Sequence, residues 1–159
     1  MSDQNLAAEN EIVSMLKKYL GDDLKDINIQ RRHRVWAEIP VSKLRDTLQF
    51  LIDNRNLYYL STISGVDMKD HFEMLYHLFL HEDKIELTLT VKLPHDNPSV
   101  PTIIDLFPGA DMAEREAHEM FGINIEGRDE ELKHVELPDT WPEGQYPLRK
   151  DWSGNNEEA

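Results

Sequence analysis

Leu57–Leu93, LYYLSTISGVDMKDHFEMLYHLFLHEDKIELTLTVKL, holds the clearest strand pattern in the chain. Its second half alternates without a break. Ile85, Leu87, Leu89, Val91 and Leu93 face one way and Glu86, Thr88, Thr90 and Lys92 the other, the period of a strand with one face on a core and one in water. Before it, Phe72, Met74, Tyr76, Leu78 and Leu80 alternate in the same manner. Leu75 and Phe79 make that strand apolar on its second face as well, which predicts a central position. Leu57 to Val66, rich in Tyr, Thr and Ile, reads as a third strand with Gly65 near its end, and His81 to Lys84 as a turn.

Working outward toward the N-terminus, Ser42 is placed to cap a helix. Its buried face is Leu44, Leu48, Leu51 and Ile52, and Asn54 to Asn56 close it. Ile27 and Ile29, then Val35, Ala37 and Ile39, alternate on either side of a bend at Arg31 to Arg34, the pattern of a hairpin. Ile12, Val13, Leu16, Tyr19 and Leu20 recur at helical spacing, predicting an amphipathic helix from Asn5 to Leu20 that Gly21 ends. The order is therefore α-β-β-α-β-β-β. Two helices cover one face of a five-stranded sheet, so the prediction is an α+β two-layer sandwich with a mixed sheet and helices on one face. A signature helix and an extended C-terminal arm follow it. The division predicted is a sandwich domain at 1–108, the signature helix and its continuation at 109–126, and the arm at 127–159.

Toward the C-terminus the texture changes. Seven of the eight prolines lie between Pro94 and Pro147. Leu93 to Pro108 reads as a connector packed by Ile103, Ile104, Leu106 and Phe107. Met112 to Phe121 reads as a short helix, with Asp111 placed to cap it and Gly122 to stop it. In it Met112, Arg115 and Glu119 share one stripe, and Ala113, Ala117, Met120 and Phe121 another. Beyond Gly127 the apolar residues, among them Leu132, Val135, Trp141, Tyr146, Leu148 and Trp152, fit no helix or strand period. Ordering such a backbone costs on the order of 1 kcal/mol per residue. Only burial against this domain or another chain could offset that.

Composition narrows the function. Seventeen basic against thirty-one acidic residues give a net charge of −14, which disfavours nucleic acid and anionic lipid as partners. Eight acids against two arginines fall between Asp111 and Glu131. That run is either a solvated acidic surface or the complement of a basic neighbour. With no cysteine there is no disulfide, cysteine-held iron–sulfur cluster or thiolate zinc site. No apolar run approaches the roughly 20 residues of a membrane helix, and MSDQNLAAENE is not a signal segment, so a soluble, cytosolic chain is expected.

Chemistry-bearing patterns are few. His77 and His81, four apart on a strand, stand about 13 Å apart, too far for one ion. No G-x-S-x-G elbow, G-x-G-x-x-G turn or P-loop can be built. Glu114, His118 and Glu119 on one short helix leave open a small metal-dependent hydrolase. The helix charges Glu114, Arg115 and Glu116 otherwise read as solvent-exposed pairs, or as interface groups in which the planar fork of Arg115 grips a carboxylate.

Three blocks in order, EREAHEMFGI (Glu114 to Ile123), LPDTW (Leu137 to Trp141) and PLRKDW (Pro147 to Trp152), resemble the signature of the C subunit of NADH-quinone oxidoreductase, respiratory complex I. That family has relatives in deazaflavin-coenzyme dehydrogenases of methane-forming archaea and in energy-converting membrane-bound nickel–iron hydrogenases. Arg128 stands where the family usually has a histidine, the segment Asp129 to Val135 is one residue longer, and His118 occupies a variable position. The resemblance implies a cofactor-free accessory subunit, no enzyme by itself, bracing the hydrogenase-like large and small subunits of a membrane-associated, ion-translocating complex. It implies a peripheral place on the cytoplasmic side of the membrane, with membrane contact only through partners. Iron–sulfur clusters, and nickel–iron or flavin, would sit in those partner subunits. Electrons would pass from NADH, reduced deazaflavin coenzyme or ferredoxin to quinone, phenazine or protons. Mapped on this chain, the partner-binding residues implied are Glu114, Arg115, Glu116, Phe121, Trp141, Leu148, Arg149, Lys150 and Trp152, with no catalytic, cofactor or metal residues. The two tryptophans are the apolar anchors, free either to meet a partner or to pack on their own domain.

Overall fold

The computed structural model of the chain describes residues 5–128 and 131–154. Its centre is a five-stranded sheet of β1 (Asp26–Arg31), β2 (Arg34–Glu38), β3 (Leu60–Asp67), β4 (His71–Leu80) and β5 (Ile85–Pro94). The spatial order is β1-β2-β5-β4-β3, with β2 and β5 parallel and every other pair antiparallel. Helices α1 (Ala7–Leu20) and α2 (Leu44–Arg55) supply the second layer. Ile12, Leu16, Leu44, Leu48 and Leu51 from the helices are fully buried, as are Phe72, Met74, Tyr76, Leu78, Ile85, Leu87, Leu89 and Val91 from the sheet. Each such side chain contributes about 1.5–3 kcal/mol by leaving water. The predicted sandwich is present, with β4 inside the sheet.

Several local readings need correction. Helix α1 starts at Ala7 rather than Asn5, with the Asn5 side chain accepting the Ala7 amide at 3.2 Å just ahead of it. Ser42 caps nothing. It lies in a 3-10 turn, Val41–Lys43, that runs straight into α2 without a side-chain cap. At the other end of α2, Asn56 takes the left-handed conformation, and the amide of buried Leu57 reaches back to Leu51 O at 3.3 Å. That closure tucks Leu57 inward and delays β3 to Leu60. The second face of β5 is not simply wet. Thr90 is fully buried and Thr88 nearly so, because Trp36 Nε1 donates to Thr90 Oγ1 at 2.8 Å and Thr88 Oγ1 lies 3.2 Å from His77 Nδ1. Glu9, on the outer turn of a helix, is buried too, accepting the His33 amide at 2.6 Å and so fixing the β1–β2 turn against α1.

After β5 the chain forms β6 (Ser99–Pro101), a 3-10 turn (Pro108–Ala110), α3 (Asp111–Phe121) and β7 (Asn124–Glu126). The strands β6 and β7 pair in parallel as a second, two-stranded sheet. Three residues are too few to show a period, and β6 also ends in Pro101, which is why the sequence offered only a connector at Leu93 to Pro108. Helix α3 lies along β3, one of the sheet's two edge strands. A Cβ on Gly65 would sit 2.7 Å from the Phe121 ring, so the absence of a side chain there sets how closely the helix approaches. Residues 131–154 contain only turns and irregular backbone, as the missing periodicity predicts. Among the described residues no helix is long and apolar enough to cross a membrane.

Candidate docking surface

Helix α3 organises the C-terminal segment through acids that point inward. Glu114 is fully buried, accepting from the Ile103 amide and Thr102 Oγ1, both at 2.7 Å. A buried carboxylate also needs a cation, and Arg128 provides it. The Arg128 side chain, 4% exposed, places Nη1 3.4 Å from Glu114 and Nη2 on Asp111. Its hydrogen bond to Asp111, then its charge and the Arg115 side chain, hold that carboxyl below the usual range against the opposing effect of burial. Asp111 is thus the first residue of α3 and a salt-bridge partner, not a cap. Arg115 reaches the same carboxylate at 3.4 Å and donates Nε to Lys133 O at 3.1 Å.

One turn later Glu119, also buried, accepts the amides of Val135 at 2.9 Å and Glu136 at 2.7 Å. His118 Nδ1 lies 3.0 Å from Ile123 O, and because a carbonyl only accepts, that nitrogen carries the proton. The expected shared stripe of Met112, Arg115 and Glu119 is therefore split: Met112 is exposed and Glu119 is inside. Nor do Glu114, His118 and Glu119 converge. Each is committed to a different backbone segment, near residues 102–103, 123 and 135–136 respectively, so the geometry does not support the hydrolase reading.

The end of the arm returns to the sheet. Gly122 stops α3 with φ 72°, and a Cβ there would meet the Tyr146 ring at 2.5 Å, so this glycine is needed for both its conformation and its size. The Leu148 amide donates to Met120 O at 3.1 Å and the Lys150 amide to Asp67 Oδ2 at 2.8 Å. Between them Arg149 turns inward. It donates to Phe121 O at 3.3 Å, His95 Nδ1 at 3.2 Å and Asp151 at 3.0 Å, with its guanidinium 5.2 Å from the centre of the Phe72 ring. Burial pushes the Asp67 carboxyl up, yet the Lys150 and Lys69 amides and His95 outweigh it and hold it below the usual value. Trp141 and Trp152 pack on each other at 6.0 Å, and both indole nitrogens point to Gln145.

The structure therefore gathers Phe121, Leu148 and Arg149 at one place and Trp141 with Trp152 at another. Glu114 has no surface to offer, and Phe121 is 7% exposed. Leu148, by contrast, is 53% exposed, and Glu116 and Lys150 also face solvent, as does Met112 one turn before Glu116 on α3. Sequence reasoning missed Asp67, His95 and the Arg128–Glu114 pair. The only signal was Arg128 itself, which stood out as a departure from the family pattern. Asp129 and Glu130, in the insertion noted from the sequence, lie outside the described residues. Asp67, His95 and Asp151 bring potential ligand atoms within 4.8 Å of one another. The Arg149 guanidinium already supplies the cation there, so this group does not fit a metal ion.

Solved structures share this architecture. It resembles a chain of the membrane-bound sulfane sulfur reductase, an archaeal respiratory membrane complex, with a TM-score of 0.75 and 26% identity over 91% of this chain and 85% of that one. The fold also matches a trypsin-resistant fragment of Nqo5, TM-score 0.65 at 21% identity, covering 76% of this chain and 98% of the fragment. In sequence, the C subunit of the F(420)H(2) dehydrogenase of Methanosarcina mazei is 29% identical over 90% of each chain. The beta subunit of the membrane-bound hydrogenase of Pyrococcus furiosus is 35% identical over 80% of this chain and 75% of its own length. The C subunit of the NADH-quinone oxidoreductase of Roseiflexus castenholzii is 39% identical over 69% of this chain and 64% of its own. Residues 37–158 match the family described as respiratory-chain NADH dehydrogenase, 30 Kd subunit. The chain belongs to that family.

Proposed function

We propose that this subunit braces the hydrogenase-like large and small subunits of a membrane-associated, ion-translocating oxidoreductase, on the cytoplasmic side, through α3 and the returned arm. The observation that carries the reading is the presentation of Leu148. Its own amide and that of Lys150 are hydrogen bonded to α3 and β3, and Arg149 between them is anchored inward, yet the leucine side chain is left 53% exposed. A rigid backbone holding an apolar side chain in water loses little further entropy on binding, which suits a docking contact. Glu116 and Ala113 of α3 share a shallow depression with it, Lys150 two residues on also faces solvent, and Trp141 and Trp152 lie elsewhere on the arm.

The chain brings no cofactor in this reading. Iron–sulfur clusters, with flavin or nickel–iron, belong to the partners, and the subunit fixes the distances between them. The relatives' names span F(420)H(2), hydrogenase and NADH-quinone chemistry, so electron donors of all three kinds fit. The test is affinity purification of the tagged full chain from its native membranes. The large and small subunits, identified by mass spectrometry with their iron and acid-labile sulfide, should co-purify, and Leu148→Asp should lose them while remaining folded. Purification of the wild-type chain alone, or unchanged recovery with the variant, overturns the proposal.

A further inference from the structure

Between the second half of α3 and residues 131–146 of the arm lies an open bay of about 650 Å³. Exposed Glu131, Asp139 and Glu143 rim it, buried Glu119 lies in its wall, and Lys133 is its one cation among the described residues. Trp141 and Tyr146 contribute aromatic surface, the indole N–H of Trp141 being already committed to Gln145 O. Two features of this lining choose the occupant. Glu119 meets His134 Nδ1 at 3.4 Å, but among the described residues no three potential ligand groups of the bay converge. The one such trio, Asp67, His95 and Asp151, lies elsewhere on the molecule, with ligand atoms within 4.8 Å of one another. Spread negative charge of this kind suits an extended cationic guest rather than a single ion. The pairing of carboxylates with aromatic rings then selects arginine, whose planar fork grips a carboxylate with two hydrogen bonds and stacks on a ring. The volume accommodates a loop tip, not just one side chain.

We propose that the bay receives an arginine-bearing loop of the neighbouring subunit. The assignment rests on the docking reading and names the chemistry of the partner's contact. Electrostatic attraction of this sort steers association and fixes register more than it adds affinity. The apolar contact at Leu148 and the bay are thus separate parts of one surface.

The probe is the peptide acetyl-Gly-Arg-Arg-Gly-amide titrated into the full-length chain and followed by ¹⁵N NMR. The Trp141 indole N–H and the His118 amide should move and saturate, and the citrulline peptide should leave them still. Asp139→Asn with Glu143→Gln, both solvent-exposed positions, should weaken binding at least ten-fold without altering the rest of the spectrum. Leu148→Asp should bind the peptide as wild type does. Shifts of equal size at remote acids such as Asp53 and Glu82, no shifts at all, or unchanged binding by the double variant would overturn the bay assignment. Such a result leaves the docking reading to its own test, the loss of partners on Leu148→Asp.

Discussion

Replacing Glu119 by alanine tests the claim that α3 organises the arm from within. The carboxylate accepts the Val135 and Glu136 amides at 2.9 and 2.7 Å and is otherwise buried. Hydrogen bonds to a charged acceptor contribute about 1.5–3 kcal/mol each, and two on one carboxylate add less than their sum. Losing them should therefore destabilise the local arrangement by at least about 1.5 kcal/mol, which is roughly a ten-fold change in an opening equilibrium. None of this touches α1, α2 or the five-stranded sheet. Native-state hydrogen exchange should thus show faster exchange at Val135 and Glu136 by ten-fold or more, with β4 and β5 amides unchanged. Glu119→Gln keeps one acceptor oxygen and should fall between. Equal acceleration throughout the sheet, or none at 135 and 136, would mean that Glu119 does not hold the arm.

Two further substitutions probe the interior. Tyr76 is fully buried on β4 with its hydroxyl unpaired, and burial, then the charge of Glu114, push its ionisation far above the ordinary tyrosine value. An unsatisfied buried hydroxyl costs about 1–3 kcal/mol, so Tyr76→Phe should raise the melting temperature by about 2–4 °C per kcal/mol recovered, measured by calorimetry. The Asp67 carboxyl is held below its ordinary value, so its stabilisation of the arm is fully present above the unfolded pKa of about 3.9 and is lost as pH falls through the lower folded value. Protection of the Lys150 amide, taken relative to its intrinsic exchange rate at each pH, should fall across that acid window in the wild type, and Asp67→Asn should remove that fall.

The sheet and its two covering helices were legible because each apolar set keeps one period over six or more residues. Ile85 to Leu93 and Leu44 to Ile52 left no competing register. The acids of α3 were not legible in the same way. Glu114 and Glu119 look like surface charges by residue type, and nothing local to the helix reveals that Ile103 and Val135, 11 residues before the one and 16 after the other, bring amides to them. The same holds for Asp67, whose partner Lys150 is 83 residues away. Ser42 and Asp111 failed as caps for a related reason. Each helix is entered through a 3-10 turn that supplies the preceding carbonyls, so no capping side chain is required. The family blocks around Glu114 and Pro147 mark α3 and the returning arm as one unit, without separating the side chains that hold it together from those left outside. That distinction also bears on how the surface should be probed. Removing residues from Gly127 onward would strip Arg128 from Glu114 as well as any partner contact, so point substitutions at exposed positions are the cleaner instrument.

The docking claim is tested most directly by placing a photo-crosslinking amino acid at exposed positions in the native assembly. At Leu148 it should capture the large or small hydrogenase-like subunit, while at Gln49, on the solvent side of α2, it should capture neither. Capture from Gln49 but not from Leu148 would contradict the account.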